Sequence, residues 1–207
     1  LMKVLLINGS PHEKGCTYTA LSLIAGELKA QGIETEILHV GGQPVGGCIG
    51  CGGCRRGNGC VFGGVVNEAI EKAKTADAFV FGTPVHYAAA SGNMTSFMDR
   101  LSYAGGKYLA YKPAAICCSA RRAGTTSALD QLVKYPEFFH MPLVSGSYWP
   151  MVHGSNAEQV LQDEEGCAVM RELGRNMAWL LQCIETGKAA GIQHPENPGR
   201  PRTNFIR

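Results

Sequence analysis

Val4-Leu5-Leu6-Ile7-Asn8-Gly9-Ser10-Pro11-His12-Glu13-Lys14-Gly15-Cys16-Thr17-Tyr18-Thr19 is the stretch from which the rest of the chain is read. The apolar run 4–7 stops at Asn8-Gly9-Ser10-Pro11, and a helical period opens near Thr17 with Leu21, Ile24 and Leu28 on one side. The order is strand, loop, helix. In such a unit the loop lies at the carboxyl end of a parallel strand, and the unpaired N–H groups of the new helix face it with a partial positive charge. That arrangement seats an anion. Two familiar phosphate loops are excluded, because neither G-x-G-x-x-G nor a lysine followed by Ser or Thr is present. What remains is a hydroxyl-bearing loop, Ser10, Thr17 and Thr19 with His12, suited to a terminal phosphomonoester. An ordinary strand-to-helix turn with a threonine cap is the plain alternative.

Moving outward, residues 33–40 alternate as a second strand, and residues 41–64 lose all period while glycine and cysteine dominate. A helix is expected over 67–74 and a buried strand over 78–82. The loop 83–91 follows, then a helix through Met94, Phe97, Met98 and Leu101. A fourth strand is expected over 114–118, ending in Ser119-Ala120-Arg121-Arg122-Ala123-Gly124. A helix over 126–139, a fifth strand over 142–149 and a helix over 163–184 that closes at Gly187 complete the pattern. Pro195, Pro198 and Pro201 mark an extended tail, so the division is one domain over 1–187, with a cysteine-rich loop at 44–62, and a tail over 188–207. Five strands alternating with helices predict an α/β, doubly wound five-stranded parallel sheet in three layers, α/β/α. Ligands of such sheets bind beyond the carboxyl ends of the strands. The polar, glycine-bearing loops 8–19, 83–91 and 119–125 all fall there, which suits a flat ring with a phosphate tail.

The 207 residues are 45% hydrophobic with a net charge of +2, enough apolar content for a single core and no basic stripe for nucleic acid or anionic membrane. No apolar run reaches the length of a membrane span, and the start lacks the pattern of a signal peptide, so a cytoplasmic location is expected. Nine cysteines in a reducing compartment point to metal or redox work before disulfides.

Gly9-Ser10-Pro11 with its threonine-bearing helix start resembles the loop of the flavodoxin-like NADPH-dependent FMN reductases. Pro84-Val85-His86-Tyr87, Ser91-Gly92 and Phe97-Met98-Asp99-Arg100 resemble the second signature of that family. The resemblance implies FMN, with its phosphate at Ser10, His12, Cys16, Thr17 and Thr19 and its ring edge at Pro84, Val85, His86, Tyr87, Ser119, Arg121 and Gly124. Arg121 and Arg122 are read either as a cation near the pyrimidine edge or as solvated surface groups, and Asp99 and Arg100 as a helix-end ion pair or a subunit contact. Family members often carry arginine where His12 stands.

Cys48, Cys51, Cys54 and Cys60, separated by two, two and five residues, form the sharpest local pattern. Four thiolates so spaced suit an iron–sulfur cube, with intervening glycines that let the backbone curl around it. Zinc usually has two well-separated Cys-x-x-Cys pairs, so zinc and a metal-free loop stand as the other readings. The spacing resembles the iron–sulfur flavoproteins of the same family, which implies a [4Fe–4S] cluster on these four. Relatives often have an acidic pair after the last cysteine, where this chain has Val61-Phe62-Gly63-Gly64. Cys117, Cys118, Cys167 and Cys183 are expected in the core. Cys16 at a helix N-terminus is a candidate reactive thiol, and His39, His140 and His194 are expected to be structural.

The resemblance implies an FMN-dependent oxidoreductase that draws on NAD(P)H as substrate. It serves a small acceptor, flavin or quinone, or a ferredoxin-like partner through the cluster. The flavin's N5 carries the chemistry, so no catalytic acid or base is assigned. The alternative is an FMN and iron–sulfur electron-transfer module between proteins; strongly acidic carriers are the rule there, and this chain is near neutral. Flavin reductases of this resemblance close an open rim with a second subunit, so a homodimer or homotetramer is expected. The helices 94–101 and 165–184 are candidates for the contact, with Tyr148 and Trp149 near the rim.

Overall fold

In the computed structural model, which describes residues 1–57, 59–196, 199, 201 and 203–205, three elements open the chain: strand β1 (Lys3–Asn8), helix α1 (Cys16–Ala30) and strand β2 (Glu34–His39). A long connection carrying a short 3-10 turn, Gly53–Arg56, leads to α2 (Val65–Thr75) and β3 (Ala78–His86). Then come β4 (Ala89–Ala90), α3 (Gly92–Gly105), β5 (Ala114–Ala120), α4 (Thr125–Phe138), β6 (Met151–His153), α5 (Ala157–Val160) and α6 (Glu164–Ala189). The sheet order is β2-β1-β3-β5-β6, all parallel, and β4 adds an antiparallel hairpin to β3. The chain reverses direction across the sheet between β1 and β3, the crevice in which such folds take ligands.

Strand side chains alternate faces, and here both faces are covered. Leu5, Ile7, Phe79, Phe81, Ile116 and Cys118 pack under α2, α3 and α4. Val4, Leu6, Val80, Ala115 and Cys117 pack under α1 and α6. The rings of Phe79 and Phe81, two residues apart on one face, lie parallel with centroids 5.9 Å apart, each burial contributing roughly 1.5–3 kcal/mol.

The fifth strand departs from expectation. Residues 142–149 pair with β5 at one position, Leu143 beside Ala114, and the regular ladder forms at Met151–His153. Between them the chain leaves the sheet because its polar groups are satisfied from α6. The Ser147 N–H and hydroxyl both donate to the Glu172 carboxylate at 2.7 Å, and Asn176 Nδ2 donates to Ser145 O at 2.8 Å. Tyr148 and Trp149 line an open apolar groove of about 500 Å³ with Ile116, Leu129 and Val133. Helix α6 continues through Gly187 to Ala189, beyond the expected stop. Cys117, Cys118 and Cys167 are buried, whereas Cys183 is exposed, on the outward side of α6. The tail before residue 197 is exposed, with the His194 ring stacked 4.3 Å from Tyr111; Pro198 lies outside the described residues. Among the described residues no helix is long and apolar enough to cross a membrane.

Candidate functional site

The loop after β1 is built around Asn8, which is fully buried. Its Oδ1 accepts from Ser10 N–H at 3.1 Å and its Nδ2 donates to Glu13 O at 3.0 Å, so the strand end becomes a closed turn. His39 supports the turn from beneath, its Nε2 2.7 Å from Ser10 O, and this is the structural role expected of it. Ser10 Oγ accepts from His12 N–H. Helix α1 then begins with no side-chain cap on its first amides and no acidic residue in its first turn. Its open end therefore favours an anion.

The other hydroxyls of the expected phosphate set are engaged within the protein. Thr17 and Ser119 share a buried hydrogen bond of 2.8 Å between residues 102 apart, tying α1 to β5. Thr19 donates back to Gly15 O. His12, His86, Tyr87 and Arg121 are exposed, and Pro84 and Val85 are half-buried. The reactive-thiol expectation for Cys16 is corrected. Its Sγ lies 3.5 Å from Gly154 O, burial pushes the thiol up, and Glu158 adds to the rise. Desolvation outweighs the helix end.

Three remote loops meet at this rim. Gly9 N–H donates to Gly82 O at 2.9 Å and Gly9 O accepts from Ser91 Oγ at 3.0 Å. Ser91 also caps α3 and donates its own N–H to Thr83 Oγ1. Past β3, Tyr87 and Ala88 have φ of 50° and 59°. They form the two-residue turn of the β3–β4 hairpin, the geometry of a I′ turn, usually occupied by Asn or Gly. Tyr87 projects wholly into solvent. Gly124, at φ 92°, fits against this turn, and a Cβ there would lie 2.6 Å from Ala88 Cα. Ser10, Tyr87 and Gly124 thus belong to one rim.

The cysteine loop forms a second site. Cys48, Cys51, Cys54 and Cys60 all line one cavity of about 400 Å³, together with Phe62, Arg100 and Tyr103. Gly52, in the left-handed region at φ 69°, starts the 3-10 turn that carries Cys54. Among the described residues no three His, Cys, Asp or Glu groups close on a point as a single ion requires. Two residues that sequence reasoning did not assign hold Cys60. Asn67 accepts from its N–H at 2.8 Å and donates to its O at 3.0 Å, while Arg100 Nε donates to its Sγ at 3.2 Å. The helix-end ion-pair reading of residues 99 and 100 is corrected accordingly: Asp99 accepts the Tyr135 hydroxyl at 2.6 Å, and Arg100 is interior and bonds Cys60. Helical spacing was the available signal, since Asn93 and Arg100, seven apart, share a face of α3. Asn93 holds Gly41 O, Gln43 O and Val45 N, and Arg100 holds Gly46 O and Gly63 O.

Comparison with known proteins agrees with this geometry. The NADPH-dependent FMN reductase family model matches residues 2–156. The chain belongs to that family. It is 32% identical over 170 residues to an iron-sulfur flavoprotein of Archaeoglobus fulgidus, covering 80% of this chain and 83% of the relative. An iron-sulfur flavoprotein of Methanocaldococcus jannaschii is 27% identical over 192 residues, 89% of this chain and 100% of that one. Among solved structures, RosB with a bound 8-demethyl-8-formylriboflavin-5'-phosphate superposes with a TM-score of 0.67 at 14% identity, covering 100% of this chain and 93% of that one, a likeness of fold. As a member of the FMN reductase family this chain is a flavodoxin-like oxidoreductase.

Proposed function

We propose that this family member carries FMN at the rim formed by the ends of β1, β3 and β5 and takes reducing equivalents from NAD(P)H. In this reading they pass onward in pairs to a flavin or quinone, or singly through a [4Fe–4S] cluster in the cysteine cavity to a redox partner. The observation that carries the reading is the convergence of the Ser10, Tyr87 and Gly124 loops on one rim. Bound there, FMN supplies a ring that accepts hydride at N5 and releases electrons one or two at a time.

The chain's own groups do the rest. First-turn amides of α1, free of a side-chain cap, receive the phosphate, and Ser10 Oγ shapes the loop before them by accepting from His12 N–H. Main-chain groups of residues 84–87 and 119–124 border the ring edge. Gly124 allows close approach of the hairpin, and Tyr87 is free to cover a face and exclude water. Arg121 and Arg122 are exposed near this edge and favour an electron-rich ring.

Four thiols with no carboxylate in the lining make a soft donor set, suited to iron and sulfide. The compact two, two and five spacing favours a cube over a lone zinc, which usually takes two well-separated Cys-x-x-Cys pairs. Ile49, Val61 and Phe62 are exposed at its mouth with Arg55 and Arg56 beside them, a surface suited to an acidic carrier such as a ferredoxin. A homodimer that closes the open side of the flavin rim completes the reading, and light scattering tests it.

The direct experiment is anaerobic absorption spectroscopy of protein reconstituted with FMN, iron and sulfide, before and after NADPH or NADH. The expected result is a flavin spectrum bleached by at least one nicotinamide, with a broad brown shoulder and stoichiometric iron. A yellow protein that neither nicotinamide bleaches while reduced ferredoxin does identifies the carrier alternative. A protein that stays colourless with FMN overturns the reading.

A further inference from the structure

Among the described residues Arg100 is the only charged side chain in the buried interior, 6% exposed. Its donors go to Cys60 Sγ at 3.2 Å, Gly46 O at 3.3 Å and Gly63 O at 3.0 Å, and its guanidinium carbon lies 5.4 Å from the Phe62 ring centroid. Among the described residues no carboxylate pairs with it. A buried cation without a counter-ion costs several kcal/mol; hydrogen bonds to two carbonyl oxygens and a thiol sulfur offset part of that cost but leave the charge unneutralised. The cavity it faces is lined by four sulfur atoms that become negative when they bind a cluster. The cation and the thiolate ring therefore complement each other across the fold, since α3 delivers one and the loop before α2 the other.

We propose that Arg100 is the built-in counter-ion of the cysteine site, a positioning residue that retains the cluster through Cys60 and raises its midpoint potential. This rests on the cluster reading above. One-electron reduction, with the electron drawn from the flavin or from dithionite in a titration, adds one negative charge to the cluster and its thiolates. A fixed positive charge and an N–H bond to sulfur stabilise that more negative state over the oxidised one, so reduction becomes easier. The two bonds to Gly46 O and Gly63 O join the stems on either side of the cysteines. They hold the cation in place while the cluster changes charge.

Asn67 provides a comparison that disturbs the loop without removing a charge. It grips the main chain of the same cysteine from α2, with both of its bonds at Cys60 N and O. Wild type, Arg100→Lys, Arg100→Gln and Asn67→Ala are reconstituted anaerobically with FMN, iron and sulfide. Iron and sulfide per chain are assayed, and the cluster potential is read by a dithionite titration followed by electron paramagnetic resonance. FMN binding reports that each variant is folded.

The expected order of potentials is wild type above Arg100→Lys above Arg100→Gln. The last shifts downward by a tenfold change in the one-electron equilibrium, about 59 mV. Asn67→Ala, which loosens the loop and keeps the cation, does not reproduce the downward order of the Arg100 series, whatever its iron content. Should Arg100→Gln lose its iron while Arg100→Lys keeps it, occupancy carries the same conclusion. A loaded Arg100→Lys or Arg100→Gln at the wild-type potential overturns the proposal, as does an equal shift in Asn67→Ala, which would make loop geometry the cause. Wild type that takes up neither iron nor sulfide overturns the cluster reading itself, a different result from a loaded protein whose potential ignores Arg100.

Discussion

Gly124 illustrates how much of the rim depends on one absent side chain. At φ 92°, with Ala88 Cα 2.6 Å from where a Cβ would sit, Gly124→Ala meets both a left-handed backbone costing roughly 1–2 kcal/mol and a collision with the Tyr87–Ala88 turn. The expected outcome is a lower urea midpoint and weaker FMN binding, read by denaturation and by flavin fluorescence titration. Cys16 behaves the opposite way from an activated thiol. Because burial raises its pKa, its thiolate fraction at pH 7 falls below that of a free cysteine and grows only at higher pH. Iodoacetamide labelling followed by mass spectrometry is therefore expected to modify exposed Cys183 faster than Cys16, and a faster Cys16 would contradict the burial argument. Residue identity alone did not separate these cases, since desolvation and the helix end oppose each other at Cys16 and only their local balance sets the sign.

Helix α3 links the two sites. Its cap Ser91 donates to Gly9 O at the rim proposed for FMN, and its next turns present Asn93 and Arg100 to the cysteine loop. Over 14 residues it spans about 21 Å. Ser91→Ala removes both the cap on Met94 N and the bond to Gly9 O, a loss of about 1–2 kcal/mol. Thermal unfolding of the variant is expected to begin earlier, and FMN to bind more weakly. On the opposite end of the sheet, Glu36 of β2 lies between Lys3 of β1 and Lys72 of α2, at 2.7 and 2.6 Å. The hydrogen bond from Lys3, then that from Lys72, holds its carboxyl below the ordinary range. A lowered folded pKa gives stability that is present above the unfolded value, about 4.3, and is lost as pH falls through the folded one. Glu36→Gln should therefore reduce stability at pH 7 and flatten its decline in acid, as urea midpoints at pH 7 and in the acid range would record.

Taken together, the molecule places the proposed flavin rim and a thiol cavity on a common helix while building each from its own loops. Among the described residues, the rim hydrogen bonds of Asn8, Ser91 and the Thr17–Ser119 pair include no atom of the cysteine loop. Accordingly, Cys48→Ser combined with Cys51→Ser is expected to lower iron per chain while leaving FMN binding unchanged. Coupled loss of both would show that the two sites share more than α3.

Strand and helix periods, glycine-bearing loops at the strand ends and the compact cysteine spacing were all legible in the chain, because each reflects forces acting over a few neighbouring residues. Alternation of those elements predicted a parallel sheet covered on both faces, and the order β2-β1-β3-β5-β6 came from the structure. Residues 142–149 misled, because an apolar, β-prone run was drawn off the sheet by Glu172 and Asn176 of a later helix. Spacing along α3 put Asn93 and Arg100 on one face, but neither Cys60 as the partner of Arg100 nor Ser119 as that of Thr17 was visible, since nothing local marks a partner 40 or 102 residues away. Backbone preference and apolar period are properties of a segment; the pairing of remote polar groups arises only when packed helices and strands exclude water and leave each buried donor one acceptor within reach.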